Sequence, residues 1–189
     1  MIGNPNLLNA RKEKYEVPLP TFRLDHINVH THVSKGFEGG RLHGGWNGTA
    51  GLYRYDNGVM YNGLTTVSFE LFDTKSNNGG FACIPGSHKA NVQLPDKWRD
   101  LSTGVNECVE RVVAKPGDAI VFTEALTHGT LPWEVDEKRT TVFYKFSPHT
   151  LTWSADFFNP DDFVDYEDMN RRKLALLEKP NARYPQRPR

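Results

Sequence analysis

Two residues in this sequence have types and a separation that suit metal and anion chemistry: His128, and Arg139 eleven positions later. An imidazole can ligate a metal ion, and a guanidinium can hold a carboxylate through two parallel hydrogen bonds. If Arg139 opens a strand, its fork can hold a carboxylate close to whatever His128 binds. His128, Gly129, Pro132 and Trp133 fall in residues 123–138, a 16-residue connection between the β-prone runs 119–122 and 139–146. Connections longer than about 12 residues in a compact domain are usually functional.

The elements that must position this pair are short strands and turns. Lys115-Pro116-Gly117-Asp118 reads as a tight turn, with Pro116 setting φ and Gly117 supplying the left-handed position, so a strand starts directly after it. Residues 22–33 alternate as a strand, with Ile27, Val29 and Val33 on one face and His26, Asn28, His30 and His32 on the other. Residues 64–72 form another, Val67, Phe69 and Leu71 opposing Thr66, Ser68 and Glu70, whose polar face is expected to look into a pocket. Asn77-Asn78-Gly79-Gly80 leads into a short strand at 81–84, and 108–113 returns to a strand pattern. Gly39, Gly40, Gly44, Gly45, Gly48 and Gly51 make the segment around Leu42-His43-Gly44-Gly45-Trp46 loop-like. Residues 90–106 read as an excursion with one helical turn around Lys97-Trp98-Arg99-Asp100. After Pro148 the period becomes helical: Asn159 caps, Pro160 takes the first position, Asp161 and Asp162 follow, and an apolar stripe runs over 169–177 until Pro180.

Gly79-Gly80-Phe81, Ile84-Pro85-Gly86-Ser87-His88-Lys89, Gly117-Asp118 and the His128 to Arg139 spacing together resemble the phytanoyl-CoA dioxygenase-like branch of the iron(II)/2-oxoglutarate oxygenases. The string at 84–89 is the most specific element, and the resemblance runs from about residue 42 to the C-terminus. It implies a mainly β fold, a double-stranded β-helix (a jelly-roll, cupin-like barrel), here with a short C-terminal helical segment. It also implies that His128 is the distal ligand of Fe(II) and that Arg139 pairs with the C5 carboxylate of 2-oxoglutarate. Thr65 and Thr141 are candidates for further co-substrate contacts from their strand positions. His88, within the most specific string, is expected to be structural or to support the site from behind. Members of this branch carry a longer N-terminal region, which leaves open that the chain is a fragment or a minimal version.

One position departs from the family pattern. Where the family carries His-x-Asp, His43 supplies the histidine and Gly45 stands in place of the carboxylate. The ferrous facial triad needs two histidines and one carboxylate to leave three positions open. A small residue there is similar to the related halogenases, in which chloride coordinates the iron. Another acid can instead complete the triad, and Asp56 and Glu124 are the candidates, Glu124 because it lies four residues before His128 in the same connection. The predicted ligand set is therefore His43, His128 and Glu124, with chloride as the alternative third partner. The resemblance implies oxidation of a small-molecule C–H bond, hydroxylation being the plain form and halogenation the variant.

A reading of a different class is a non-catalytic cupin-like module that binds a metal or ligand through His30, His32 and His88. His30-x-His32 followed by Glu38 loosely matches a cupin metal motif, without its glycine spacing.

Composition narrows the partners. Lys+Arg and Asp+Glu balance at 23 each, which removes a global electrostatic case for nucleic acid or an anionic membrane and favours a small-molecule substrate. Sixteen Gly, 12 Pro and 12% aromatic residues suit many short strands joined by turns. Cys83 and Cys108 make neither a disulfide framework nor a Cys-x-x-Cys pair, so a reducing cytoplasm is expected. No apolar run reaches the roughly 20 residues that span a bilayer. A length of 189 residues predicts a single domain: a β-helix core over 22–150, a helical segment over 156–179, and a tail over 180–189. Oligomeric state is not legible.

Overall fold

The β-branched and aromatic runs fold as ten strands among the described residues. The computed structural model describes residues 18–44, 53–75, 77–102 and 104–183. The strands are β1 Phe22–His32, β2 Gly40–His43, β3 Tyr53–Asp56, β4 Val59–Asn62, β5 Thr65–Glu70, β6 Gly80–Cys83, β7 Glu110–Arg111, β8 Ala119–Thr123, β9 His128–Leu131 and β10 Arg139–Pro148. Two sheets of four, in the orders β1-β10-β5-β8 and β2-β9-β6-β7, make a jelly-roll, and β3-β4 is a separate hairpin. The first residues, up to 17, and the segments 45–52 and 184–189 lie outside the described residues. So do the expectations for Gly45, Trp46, Gly48, Gly51 and much of the tail.

By contact density the chain divides into two units: Ile27–Tyr144, and Met1–His26 with Lys145–Arg189. β1 and β10 each pass from one unit into the other.

In the 27–144 unit, Phe81 of β6 meets Phe122 of β8 with ring centroids 4.8 Å apart, so the inner faces of the two four-stranded sheets pack together. The outer face of the β2-β9-β6-β7 sheet is covered by the excursion that follows β6. Leu42, Ala82 and Leu131 form one buried apolar cluster with Leu101 and Val109 from that excursion. The other sheet is inverted relative to an ordinary core strand. On β5 it is Thr66, Ser68 and Glu70 that are buried, while Phe69 and Leu71 are exposed, as are Ile27 and Val29 on β1. Buried polar groups persist where they find partners. Thr66 donates to Glu124 Oε1 at 2.8 Å, and Glu70 accepts from Arg139 Nη2 at 3.0 Å and Thr141 Oγ1 at 2.7 Å. The space between the sheets is thus lined as a site.

Four sequence-based expectations are corrected. The 16-residue connection is interrupted by β9, which pairs on one side with β2 and on the other with β6. A four-residue His-Gly-Thr-Leu strand shows no period in the sequence and is stabilised by ladders on both edges. Part of the glycine-rich segment, expected to be loop, is β2, paired to β9 with His43 opposite His128. The strand over 108–113 shrinks to the two residues of β7. The C-terminal helix is broken into a 3-10 turn, Pro160–Phe163, and a helix α1, Arg171–Leu176. Asn159 caps the first, its side chain accepting from the Asp161 N–H, but Asn170 accepts from the Arg172 and Lys173 N–H groups and starts a second segment. The β3-β4 hairpin carries its own local sequence signal. Asn57 (φ 47°) and Gly58 (φ 78°) form its turn, and Asn-Gly is the strongest short hairpin signal.

In the other unit, a buried Asp25 carboxylate accepts from Arg23 Nη1 at 2.9 Å, Ser147 Oγ at 3.1 Å, Trp153 N at 3.0 Å and Ser154 N at 2.9 Å. Burial pushes its pKa up, and the hydrogen bonds from His26, Trp153, Ser154 and Ser147 together push it further down, to a net value below the usual carboxylate range. No helix among the described residues is long and apolar enough to cross a membrane.

Candidate active site

β2 and β9 bring two histidines side by side. His43 and His128 are cross-strand partners, and their ring centroids are 4.3 Å apart. Each imidazole is tied back through Nδ1 to the backbone carbonyl two residues earlier, His43 to Arg41 O at 3.0 Å and His128 to Leu126 O at 2.7 Å. A carbonyl only accepts, so Nδ1 carries a proton in both rings and Nε2 is the nitrogen left to ligate a metal. Such outer hydrogen bonds fix the tautomer of metal-binding histidines. The four-residue turn between β8 and β9 then supplies Glu124. Its Oε2 lies 3.8 Å from His128 Nε2, too long for a hydrogen bond, and its Oε1 is held by Thr66.

His43, Glu124 and His128 form a group whose ligand atoms all lie within 4.8 Å of one another, and among the described residues no other His/Cys/Asp/Glu group meets that condition. Donors about 2.1 Å from one ion are at most about 4.2 Å apart. In a facial set, where the three donors are mutually at about right angles, they lie about 3 Å apart, so the side chains need to close in by up to about 2 Å to share one ion. Asp56, the other acid considered, is an exposed residue of β3 outside this group.

Gly44 shows why glycine follows His43. Its φ is +97°, and an added Cβ would stand 2.3 Å from Leu126 O and 2.8 Å from Glu124 O. The turn that carries Glu124 passes directly against this backbone, which only glycine allows. The Ile84-to-Lys89 string serves the same turn from the other side. Ile84 N donates to Thr127 O at 2.9 Å, and Ser87 Oγ accepts from Thr127 N at 2.8 Å, fixing the residue just before His128. Phe81 and Phe122 flank the His128 ring at 5.8 and 4.7 Å between centroids.

Arg139, at the start of β10, is 1% exposed and pairs with Glu70 through Nη2. Its Nε and Nη1 are buried with no hydrogen-bond partner among the described residues. A buried guanidinium with two free nitrogens fits an incoming carboxylate. Thr141 commits its hydroxyl to Glu70. Thr65 accepts from Asn62 Nδ2 at 2.8 Å, and the adjacent Thr66, on the opposite face of the strand, is the one that reaches the histidine–glutamate group. The histidines of the cupin-like reading do not form a three-residue ligand group among the described residues. His30 packs on Phe143 at 4.8 Å, His32 stacks on Phe37 at 4.0 Å, and His88 sits in a 3-10 turn. Thr66 and Glu70 were visible in the sequence only as the polar face of a strand. Nothing local marked one as holding a carboxylate and the other as fixing an arginine.

The sequence pattern of the family described as phytanoyl-CoA dioxygenase (PhyH) matches residues 45–140, half of the chain. No curated protein matches the sequence. Among solved structures, HygX from Streptomyces hygroscopicus with nickel and 2-oxoglutarate bound superposes with a TM-score of 0.58 at 24% identity, over 69% of this chain and 58% of HygX. The non-heme monooxygenase ThoJ superposes with a TM-score of 0.52 at 17% identity, over 72% of this chain and 51% of ThoJ. The chain thus spans a little over half the length of these structural relatives. At such identities the likeness extends to the jelly-roll itself, and with the pattern matched across β3 to the start of β10 the chain belongs to the phytanoyl-CoA dioxygenase family.

Proposed function

We propose that the chain is an iron(II)/2-oxoglutarate-dependent oxygenase that hydroxylates a C–H bond of a small organic molecule. The observation that carries this reading is the convergence of His43, Glu124 and His128 within 4.8 Å. Ferrous iron and 2-oxoglutarate, when bound, supply the oxidising chemistry. The chain's own residues hold and orient. His43 and His128 offer Nε2, Thr66 holds the Glu124 carboxylate through Oε1 with Oε2 on the side of His128, and Arg139 offers Nε and Nη1 to the distal carboxylate of 2-oxoglutarate. Phe81 and Phe122 shield the His128 ring from water on the inner face.

Glu124 bears on the choice between hydroxylation and halogenation. Two histidines and a carboxylate complete a facial triad although Gly45 offers no ligand. With a protein carboxylate in that position no chloride is required, which supports hydroxylation. HygX has been captured with hygromycin B alongside nickel and 2-oxoglutarate. That precedent, with the balanced charge of this chain, supports a small-molecule substrate.

Anaerobic titration with ferrous iron and 2-oxoglutarate tests the reading. A visible charge-transfer band that needs both components is expected, followed by 2-oxoglutarate-dependent oxygen uptake indifferent to chloride. A protein that binds ferrous iron without any response to 2-oxoglutarate is not this enzyme.

A further inference from the structure

The β3-β4 hairpin supplies no residue to the metal group, yet it is anchored at the end of the jelly-roll where that group sits. At that end β2, β6 and β8 finish, at His43, Cys83 and Thr123, and β5 and β9 begin, at Thr65 and His128. The hairpin is tied down there on two sides. Asn62 Nδ2 donates to Thr65 Oγ1 at 2.8 Å, and Thr65 stands between the threonine that holds Glu124 and Leu64, whose carbonyl accepts from Glu124 N at 3.1 Å. On the other side Asn91 Nδ2, just past the Ile84-to-Lys89 string, donates to the Tyr55 carbonyl at 2.6 Å.

The register of the hairpin decides which side chains share a face. Tyr53 pairs with Asn62 and Tyr55 with Met60, so these four stand on one face, and Arg54, Asp56, Val59 and Tyr61 on the other. Tyr53 is buried and its three companions are half-buried, whereas Arg54, Asp56 and Val59 are exposed. The inward face carries two buried polar atoms with no hydrogen-bond partner among the described residues, Tyr53 Oη and Asn62 Oδ1. Burial first, and then Tyr55, push the Tyr53 phenol above its ordinary pKa, so it stays protonated and able to donate. Asn62 has committed its Nδ2 to Thr65, which leaves Oδ1 as an acceptor. A donor and an acceptor thus rise from cross-strand partners about 5 Å apart at Cβ without bonding each other. Buried polar atoms left unpaired are costly, and one group that both accepts and donates satisfies the two together. A hydroxyl does this. A carboxylate does not, because it has no proton for Oδ1 and neither residue offers it a counter-charge.

Resting on the oxygenase function proposed above, we propose that Tyr53 and Asn62 are its substrate-recognition pair and hold a neutral hydroxyl group of the small-molecule substrate, Tyr53 Oη donating to it and Asn62 Oδ1 accepting from it. The substrate class is then an alcohol or polyol rather than a carboxylic acid, held at the end of the barrel that carries His43, Glu124 and His128.

The test is calorimetric and needs no turnover. Protein loaded with nickel and 2-oxoglutarate is titrated with cyclohexanol, with myo-inositol and with cyclohexanecarboxylate. Saturable binding of at least one of the two alcohols is expected, with the carboxylate weaker by about tenfold or more. Tyr53→Phe keeps the ring and removes only the hydroxyl. It is expected to weaken the alcohol by about three- to tenfold, the scale of one neutral hydrogen bond, and to leave 2-oxoglutarate affinity unchanged. Asn62→Asp is expected to move the preference from cyclohexanol towards cyclohexylamine by about tenfold, because the acceptor is now an anion. Alcohol affinity and preference unaltered in both variants overturn the proposal and leave the two atoms to a fixed water. Failure of both alcohols to bind overturns it too, as does carboxylate binding as tight as theirs. Protein that takes up no 2-oxoglutarate in the loading step removes the oxygenase function instead, and the same alcohol titrations of the unloaded protein and its variants then still decide whether Tyr53 and Asn62 hold a hydroxyl.

Discussion

Replacing Thr66 with Val isolates the step by which the fold prepares a metal ligand. Thr66 is fully buried, and its hydroxyl donates to Glu124 Oε1 at 2.8 Å. Valine has nearly the same shape, so no cavity forms, and the loss is confined to one hydrogen bond to a carboxylate. A charge-assisted bond of this kind is worth roughly 1.5–3 kcal/mol when dry. The Glu124 side chain is 24% exposed, so water can replace part of it, and the effect on stability belongs near or below the lower end. Metal affinity is more sensitive, because a carboxylate no longer held by Thr66 can turn away from His128 Nε2. Removing such an outer partner typically costs 10- to 100-fold in metal affinity, and partial exposure argues for about tenfold here. Anaerobic titration with ferrous or cobaltous ion measures this directly, with thermal melts as the stability control. Glu124→Ala should lose more than Thr66→Val. Metal affinity unaltered by Glu124→Ala would refute the His-Glu-His ligand set. Affinity unaltered only in Thr66→Val would show that the carboxylate is held without the threonine.

Three further outcomes are expected. Arg139→Ala should weaken 2-oxoglutarate binding by about 2–4 kcal/mol and also destabilise the protein by about 3–5 kcal/mol, because Glu70 is left buried without its counter-charge and with only the Thr141 hydroxyl as partner. The double variant Arg139→Met with Glu70→Gln should regain much of the stability in urea melts without regaining 2-oxoglutarate binding, and recovery of both would remove Arg139 from the co-substrate site. Gly44→Ala should cost at least about 1–3 kcal/mol of backbone strain and displace the Glu124 turn, so metal affinity and melting temperature fall together; an unaffected metal titration would contradict the close approach. Burial first, then the charges of Arg139 and Arg183, hold the pKa of His32 and His149 respectively below the ordinary histidine value. The unfolded chain takes up these protons near pH 6.5 and the folded chain does so at lower pH. This part of the stability is therefore complete above about pH 6.5 and erodes as pH falls below it, which melts across that range will show. His149→Phe should flatten the slope.

The sequence by itself determined the chemistry's vocabulary and some of its grammar. His128, Arg139, the Ile84-to-Lys89 string and the turn before β8 are local signals, because ligand type, fork geometry and turn conformation are properties of single residues and near neighbours. Glu124 was reachable for the same reason, lying four residues from His128. What only the tertiary structure decided is which faces turn inward and which distant residues meet. The alternating strands 22–33 and 64–72 carry an apolar face each, but Ile27, Val29, Phe69 and Leu71 are exposed while Thr66, Ser68 and Glu70 are buried. Alternation fixes that a strand has two faces, and the partners across the barrel decide which is inner. Those partners are remote: Thr66 is 58 residues from Glu124, Glu70 is 69 from Arg139, and His43 meets His128 only through the register of β2 on β9. β9 itself has four residues and no period, and becomes a strand only because β2 and β6 satisfy its backbone on both edges.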